Sequence, residues 1–396
     1  MSVKRSVGFS THPLGQYINN NNLLMNANGC PRNAVELIVS IIALTQTPPE
    51  IVIVQTSLIG SILSNLLLVM GMAFFLGGVN RLEQHFNVTV AQTAASLLAL
   101  AVGSIIIPAA FNAWSSGTEE LQQTHIAQLS RGTAVLLLIV YACYLFFQLK
   151  THTQMYNEPS KKVEKRKKKT TPATESKATE KGIAHIGAQS AALAGQSVAD
   201  KDYILEPEDR PSSSSTASGD EEREKPQLFI WVAVLTLCVS TALVGLCAEF
   251  MVDSINALTE RAHLSKTFVG LILLPIVGNA AEHATAVTVA CKDKMDLAIG
   301  VAVGSSMQIA LLVIPFVVVL GWCMGLEEMS LDFDGYQVAV LFVAVLLVNY
   351  LIQDGKSHWL EGVLLISLYL IIAVSAWFYP TEEDPAAAAR ADKFRF

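Results

Sequence analysis

A chain of 396 residues that is 52% hydrophobic and 15% charged, with a mean hydropathy of +0.43, carries too much apolar sequence for a water-soluble protein of two or three domains. Many apolar runs of about 20 residues or more make it instead an all-α polytopic membrane protein. The net charge of −7 is concentrated in loops, and the six cysteines show no CxxC and no metal-ligand spacing. Cys143, Cys238, Cys247 and Cys291 lie in or at the ends of apolar runs and Cys30 and Cys323 stand alone, so all read as unpaired thiols.

In chain order, residues 1–32 carry an Asn run (Asn19 to Asn22), scattered Gly and Pro, and Lys4 with Arg5. They read as irregular, and no signal-peptide core stands beside their charges. Asn33 to Leu44 is apolar but reaches only about 18 Å, against a hydrocarbon core of about 30 Å. The chain therefore reads as entering in the middle of a helix. Pro48-Pro49 makes a turn, and Ile51 to Gly78 is a long helix rich in Gly and Ser. Arg81 to His85 is a charged loop, and Val88 to Ala113 and Thr133 to Leu149 are two further spans. Lys150 to Gln227 has linker composition: a basic start (Lys161, Lys162, Lys165 to Lys169), an Ala/Ser/Gln-rich middle and an acidic end. A short helix is expected at Gly182 to Val198. Five spans follow: Leu228 to Val252, Thr267 to Cys291, Leu297 to Met324, Val338 to Ile352 and Trp359 to Phe378. About nine membrane helices result. They group as an N-terminal segment (1–32), a first half (33–149), a linker (150–227), a second half (228–380) and a polar tail (381–396).

If the spans alternate, Arg81, the Lys161–Lys169 block, Lys292, Lys294 and Lys356 share one side. The other side holds Glu119, Glu120, Glu327, Glu328, Asp332 and Asp334, with Arg131, Arg261 and Lys266. The positive-inside rule makes the linker side cytosolic. The Asn87-Val88-Thr89 glycosylation triplet would then face the cytosol and reads as chance. The basic block suits anionic headgroups or serves only as a topology signal.

The chemistry is carried by a repeated phrase. Gly278-Asn279-Ala280-Ala281-Glu282-His283 lies inside an apolar run, and Asn33-Ala34-Val35-Glu36 echoes it. Each Glu is followed some twenty-odd residues later by a second echo, Gly60-Ser61-Ile62-Leu63-Ser64 and Gly304-Ser305-Ser306-Met307-Gln308. A carboxylate at bilayer depth costs several kcal/mol and needs a partner or a purpose. Two copies of one acidic helix pair are the pattern of a transporter built from internal repeats. Asn and Glu at i and i+3 share a helix face, as do Ser61 with Ser64 and Ser305 with Gln308. Crossed at the midplane, the four helices offer Glu36 and Glu282 ringed by amide and hydroxyl oxygens. That is a donor set for a hard cation such as Ca²⁺, which takes six to eight oxygens, and not for a soft or transition metal. Two buried carboxylates also titrate as a coupled pair, so protons and a divalent cation compete for one site. His283 either relays or tunes a proton or is simply hydrogen-bonded in place. Gly60, Gly71, Gly77, Gly78, Gly300 and Gly304 let helices approach or slide, and Pro275 frees a carbonyl and can break the helix near the site. The bland alternatives are an interfacial cap or pair for Glu36, a structural ion pair for Glu282, and plain packing for Ser64. An intramembrane metalloenzyme would need His-Glu-x-x-His. Glu282-His283 has the wrong order and no second His nearby, so the chain reads as a secondary active transporter and not an enzyme. No motif points to a cofactor or to nucleic acid.

At these residues the chain resembles a Ca²⁺/H⁺ antiporter of the cation/proton exchanger family, within the cation/Ca²⁺ exchanger superfamily. The segments at 278–283 with 304–308 are similar to that family's second signature repeat, and those at 33–44 with 60–65 to the first. The resemblance implies an inverted-repeat fold of eleven helices. It also implies Ca²⁺ sequestration in an acidic vacuole, with the bilayer, Ca²⁺ and H⁺ as partners. Glu36 and Glu282 would be the shared carboxylates. Asn33, Asn279, Ser61, Ser64, Ser305 and Gln308 would stand around them, with His283 beside. The acidic stretch Glu206, Glu208, Asp209, Asp220, Glu221, Glu222 and Glu224 corresponds in position to the family's acidic cytosolic segment, which is either regulatory or a solvated tail. The long charged linker resembles fungal members. The family has Gly where Arg32 stands, and about two helices where residues 1–32 stand. The expectation is a truncated or altered N-terminus, with an inactive chain or a Na⁺-coupled exchanger as alternatives to Ca²⁺/H⁺ exchange.

Overall fold

The computed structural model describes residues 33–114, 119–157, 230–262 and 264–379. The acidic stretch Glu206 to Glu224, the helix expected at Gly182 to Val198 and both terminal segments lie outside them. The described chain is helical apart from one two-residue ladder. Its elements are α1 (Ala34–Thr45), α2 (Ile51–Gly78), β1 (Gln84–His85), α3 (Val88–Trp114), α4 (Glu119–Phe146), α5 (Thr153–Asn157), α6 (Ile230–Ala262), α7 (Lys266–Gly278), α8 (Ala280–Cys291), α9 (Met295–Met324), α10 (Gly335–Leu351), β2 (Lys356–Ser357) and α11 (Trp359–Trp377).

Among the described residues six helices are long and apolar enough to cross a membrane, in α2, α3, α4, α6, α9 and α11. The pair α7–α8 makes a seventh if its 54° bend lies within one span, and α1 and α10 are shorter apolar helices. Each of the nine expected spans thus falls on a helix or on the bent pair. Two boundaries move. The helix α4 starts at Glu119 and not at Thr133, and α6 runs on to Ala262 and not to Val252, while α3 continues through Pro108 within its expected span. A proline inside a membrane helix is tolerated where neighbours re-satisfy the freed backbone.

The core sits on α2. Ile53, Leu58, Ile59, Ile62, Leu66, Leu67, Met70 and Phe74 are fully buried on all sides of it, as a helix that is hydrophobic all round must be. On α3, α4, α6 and α11 large apolar side chains face outward, among them Ile107, Leu136, Phe250 and Ile371. In a bilayer that surface meets lipid. Two packings recur. The second half of α2 is covered by α11, and the second half of α9 by α4. Gly60, Gly71, Gly77 and Gly78 lie at close approaches, as expected. A methyl group at Gly71 would meet Gly362 O of α11 at 3.1 Å. Gly300 and Gly304 depart from the expectation, since no described atom lies within 4 Å of a Cβ placed there. The Gly/Ser-rich stretch still meets α2 through Ser305 and Ser306, which are fully buried against Asn65 and Ile62 O.

The loop charges segregate as alternation demands. At one end β1 pairs antiparallel with β2, and Lys356 bridges Glu83 at 3.0 Å. Arg81, in the loop expected to be charged, is only 6% exposed. It donates to Gly77 O (3.1 Å) and Cys291 O (3.2 Å) and pairs with Asp293 at 3.5 Å, which ties the ends of α2 and α8 together. Asn87 Oδ1 accepts from Thr89 N and Val90 N and caps α3, so the glycosylation triplet is used as a helix start. At the other end Lys266 bridges Glu50 at 3.0 Å, and Asn112 Nδ2 donates to Asp332 Oδ2 at 2.6 Å. Cys143, Cys238, Cys247, Cys291 and Cys323 are free thiols.

Candidate functional site

Two short helices begin with the same backbone. Asn33 precedes α1 at φ −96, ψ 20, and Asn279 precedes α8 at φ −88, ψ 11. Each places a Glu in its first turn, Glu36 and Glu282, where the unpaired amides of a helix start favour a negative charge. A weak turn of α7 lies just ahead of the bend into α8. Pro275 has no N–H, so Leu271 O loses its helical donor, and a π turn at Val269–Leu273 lies just before it. Gly60 of α2 lies against Leu271 O and Pro275 Cγ, so the freed carbonyl faces a residue with no side chain. The break itself falls at Asn279, four residues past the proline.

The partner helices α2 and α9 carry the second halves of the repeated phrase. Each has a π turn at the matching place, Ser64–Val69 and Ile309–Val313. Such turns widen the helix and cluster at functional sites. The hydrogen bonds across the site are reciprocal. Asn33 Nδ2 donates to Ser305 O (3.3 Å), and Asn279 Nδ2 to Ser61 O (3.5 Å). Asn33 Nδ2 also reaches Gln308 Oε1 at 3.1 Å. The Ser305 hydroxyl lies 2.6 Å from Asn33 Oδ1 and 3.1 Å from Glu282 Oε1. Ser64 Oγ lies 3.3 Å from His283 Nε2.

The fold therefore places the nine membrane site residues expected from the sequence around one crossing of helices, while the acidic stretch Glu206 to Glu224 lies outside the described residues. Asn33, Glu36, Ser61, Ser64, Asn279, Glu282 and Ser305 are buried, and Gln308 and His283 partly so. Ser61 enters through its carbonyl. Asn65 was missed. It is fully buried in the π turn of α2, and its Nδ2 donates to Ser305 Oγ at 3.2 Å. Its signal was an amide four residues after Ser61 in an apolar run.

Three buried oxygens of the site, Glu36 Oε2, Asn65 Oδ1 and Asn279 Oδ1, have no hydrogen-bond partner within the protein. All three are acceptors, and a buried acceptor without a donor is costly unless a cation, proton or water answers it. Among the described residues no three His, Cys, Asp or Glu side chains cluster as a metal site. The donor set is thus carboxylate, amide and hydroxyl oxygen, which suits a hard cation bound transiently.

Reciprocal half-helices, each opening on a buried carboxylate at membrane depth, define a cation-translocating membrane protein of internal-repeat design. Residues 29–150 and 232–378 match the family described as sodium/calcium exchanger protein, and the chain belongs to that family. It is 41% identical over 348 residues to the vacuolar calcium ion transporter of Schizosaccharomyces pombe, covering 88% of this chain and 70% of that one. It is 43% identical over 386 residues to the protein of the same description from Cryptococcus neoformans, with 88% of this chain and 62% of the relative covered. Among solved structures, that of the Ca²⁺/H⁺ antiporter protein YfkE superposes with a TM-score of 0.62 at 29% identity, covering 92% of this chain and 88% of the other.

Proposed function

We propose that the chain is a secondary active antiporter. It exchanges Ca²⁺ for H⁺ across the vacuolar membrane and moves cytosolic Ca²⁺ into an acidic lumen. The observation that carries this reading is the pair Glu36 and Glu282, each buried in the first turn of a half-helix, with the Ser305 hydroxyl 3.1 Å from Glu282 Oε1. The names of the relatives support the choice of Ca²⁺ and H⁺ and of the vacuole.

The mechanism follows from competition. With both carboxylates ionised, the site offers two negative charges and neutral oxygens from Asn33, Asn65, Asn279, Ser305 and Gln308 to a hard divalent ion. When the ion leaves, two neighbouring buried carboxylates cannot both stay charged, and protons take its place. The empty site then crosses between its two accesses without a bare buried charge. The bend at Asn279 and the π turns of α2 and α9 are the places where the backbone can adjust around it. The two halves, 33–149 and 228–380, each contribute one copy of the site, and the linker 150–227 lies in the cytosol with Arg81, Lys292, Lys294 and Lys356.

Radiolabelled Ca²⁺ uptake into acid-interior vesicles carrying this chain tests the proposal, with a proton uncoupler and Glu282→Gln as controls. Uptake that either control abolishes is expected. Uptake that follows a Na⁺ gradient and ignores the uncoupler would make the chain a Na⁺-coupled exchanger. No uptake from protein shown to be in the membrane would overturn transport by this chain.

A further inference from the structure

The hydroxyl of Tyr369 is an unexplained polar group beside the site. Tyr369 lies on α11, which covers the second half of α2, and is 2% exposed. Its Oη is buried beside Ser64 without a well-formed hydrogen bond to any group. A tyrosine in a membrane core normally gives its hydroxyl a partner or carries it to the interface, and leaving it unsatisfied is costly against phenylalanine. Ser64 in turn faces His283 Nε2 at 3.3 Å, and His283 adjoins Glu282. Three side chains from three elements, α11, α2 and α8, thus lie in succession, the last of them next in sequence to the second carboxylate.

We propose that Tyr369 is a positioning residue for the exchanger site, setting the direction of the hydrogen bond between Ser64 and His283. The argument rests on donor strength. A phenol is more acidic than an aliphatic alcohol and prefers to donate. With Tyr369 donating to Ser64 Oγ, the serine proton is left for His283 Nε2. The ring then accepts at Nε2 and carries its hydrogen on Nδ1. Without Tyr369 the serine can equally accept from an Nε2–H, and both ring tautomers become available. A serine whose proton is committed to His283 keeps an oxygen lone pair available to a cation, whereas a serine with a free proton competes with the cation. This inference deepens the proposed Ca²⁺/H⁺ exchange and rests on it for its effect on transport. Its structural part, the tautomer, stands alone.

The test uses the full chain in lipid bilayers, labelled with ¹⁵N-histidine and studied by solid-state NMR at alkaline pH. The His283 signals are identified by their loss in His283→Gln. The wild type is expected to show one tautomer, protonated at Nδ1. Tyr369→Phe is expected to show both, as is Ser64→Ala, and Tyr369→Phe/Ser64→Ala should match Ser64→Ala alone. In uptake assays Tyr369→Phe should raise the KM for Ca²⁺ about fivefold, the worth of one neutral hydrogen bond, with the maximal rate little changed. An unchanged tautomer in Tyr369→Phe overturns the inference, as does a KM effect that adds to that of Ser64→Ala. Wild-type protein that shows the tautomer but takes up no Ca²⁺ would overturn the transport reading and leave the positioning role standing.

Discussion

The two copies of the site share a backbone and differ in their side chains. Asn33–Glu36 and Asn279–Glu282 open their helices at almost the same angles, and each Asn donates to the serine carbonyl of the opposite copy. Leu37 follows Glu36 where His283 follows Glu282, Ser64 stands where Gln308 stands, and Asn65 stands where Ile309 stands. The backbone phrase thus builds a two-fold frame, and side-chain differences such as these break it. The imidazole beside the second carboxylate, and the second amide placed at Asn65 in one copy and at Gln308 in the other, make the two Glu chemically unequal. An exchanger of two unlike ions has use for that inequality, because one carboxylate can lead in proton release while both hold the divalent ion.

Removing either charge breaks the frame most severely. Glu36→Gln and Glu282→Gln should each abolish Ca²⁺ uptake by protein that still reaches the membrane, since one carboxylate cannot match a divalent ion at bilayer depth. An active Glu36→Gln would mean that the first copy is only scaffold.

The next largest contrast is between two glycines at matching places. A methyl group at Gly60 would collide with Leu271 O and with Pro275 Cγ at 2.6 Å, both on the far side of a packed crossing. Gly60→Ala should therefore destabilise the protein by about 1–3 kcal/mol, read as a lower melting temperature in detergent. Gly304→Ala meets no described atom within 4 Å and should be neutral or stabilising by up to about 1 kcal/mol, the helix-propensity gain. Equal effects at both positions would sink the claimed difference in packing.

Making the copies more alike is a gentler change. Asn65→Leu removes the amide that donates to Ser305 Oγ and gives the first copy an apolar residue like Ile309. The KM for Ca²⁺ should rise about fivefold, corresponding to ~1 kcal/mol for one hydrogen bond in the site. An unchanged KM would assign Asn65 to packing.

The smallest effect concerns the two ends of the bundle. Asp293 is paired with Arg81, whereas Asp332 receives the neutral amide of Asn112. Burial pushes the Asp332 carboxyl up to about 6, with Asp334 adding to the rise and the Asn112 hydrogen bond opposing it. The folded protein therefore binds this proton more tightly than the unfolded chain. The stability this group contributes is fully present below its unfolded value of about 4 and is lost as pH rises to about 6. Melting measured from pH 4 to pH 7 should show that decline, and Asp332→Asn should flatten it. A slope unchanged in Asp332→Asn would assign it to other groups.

The helices were legible because a bilayer leaves little choice. Apolar runs must become helices with every backbone group paired, and the loop charges then sort by side. The Asn–Glu phrase was legible because it occurs twice, in surroundings where a carboxylate is expensive. What escaped was whatever depends on a neighbour distant in sequence. Arg81 looked like a loop charge until the ends of α2 and α8 met around it. Gly304 looked like Gly60, because a small residue announces room for a close approach but not that one is made there. Asn65 and Tyr369 are single polar residues in apolar helices, and only the packing of α9 and α11 on α2 puts them beside Ser305 and Ser64. Taken alone, the sequence determined the class of protein, the positions of the spans and the identity of the two carboxylates, since hydropathy and repetition are properties of a chain. The tertiary structure decided which oxygens face one another, where α7 gives way to α8 and how the copies differ. Those outcomes follow from distances between residues hundreds of positions apart, and no local pattern encodes them.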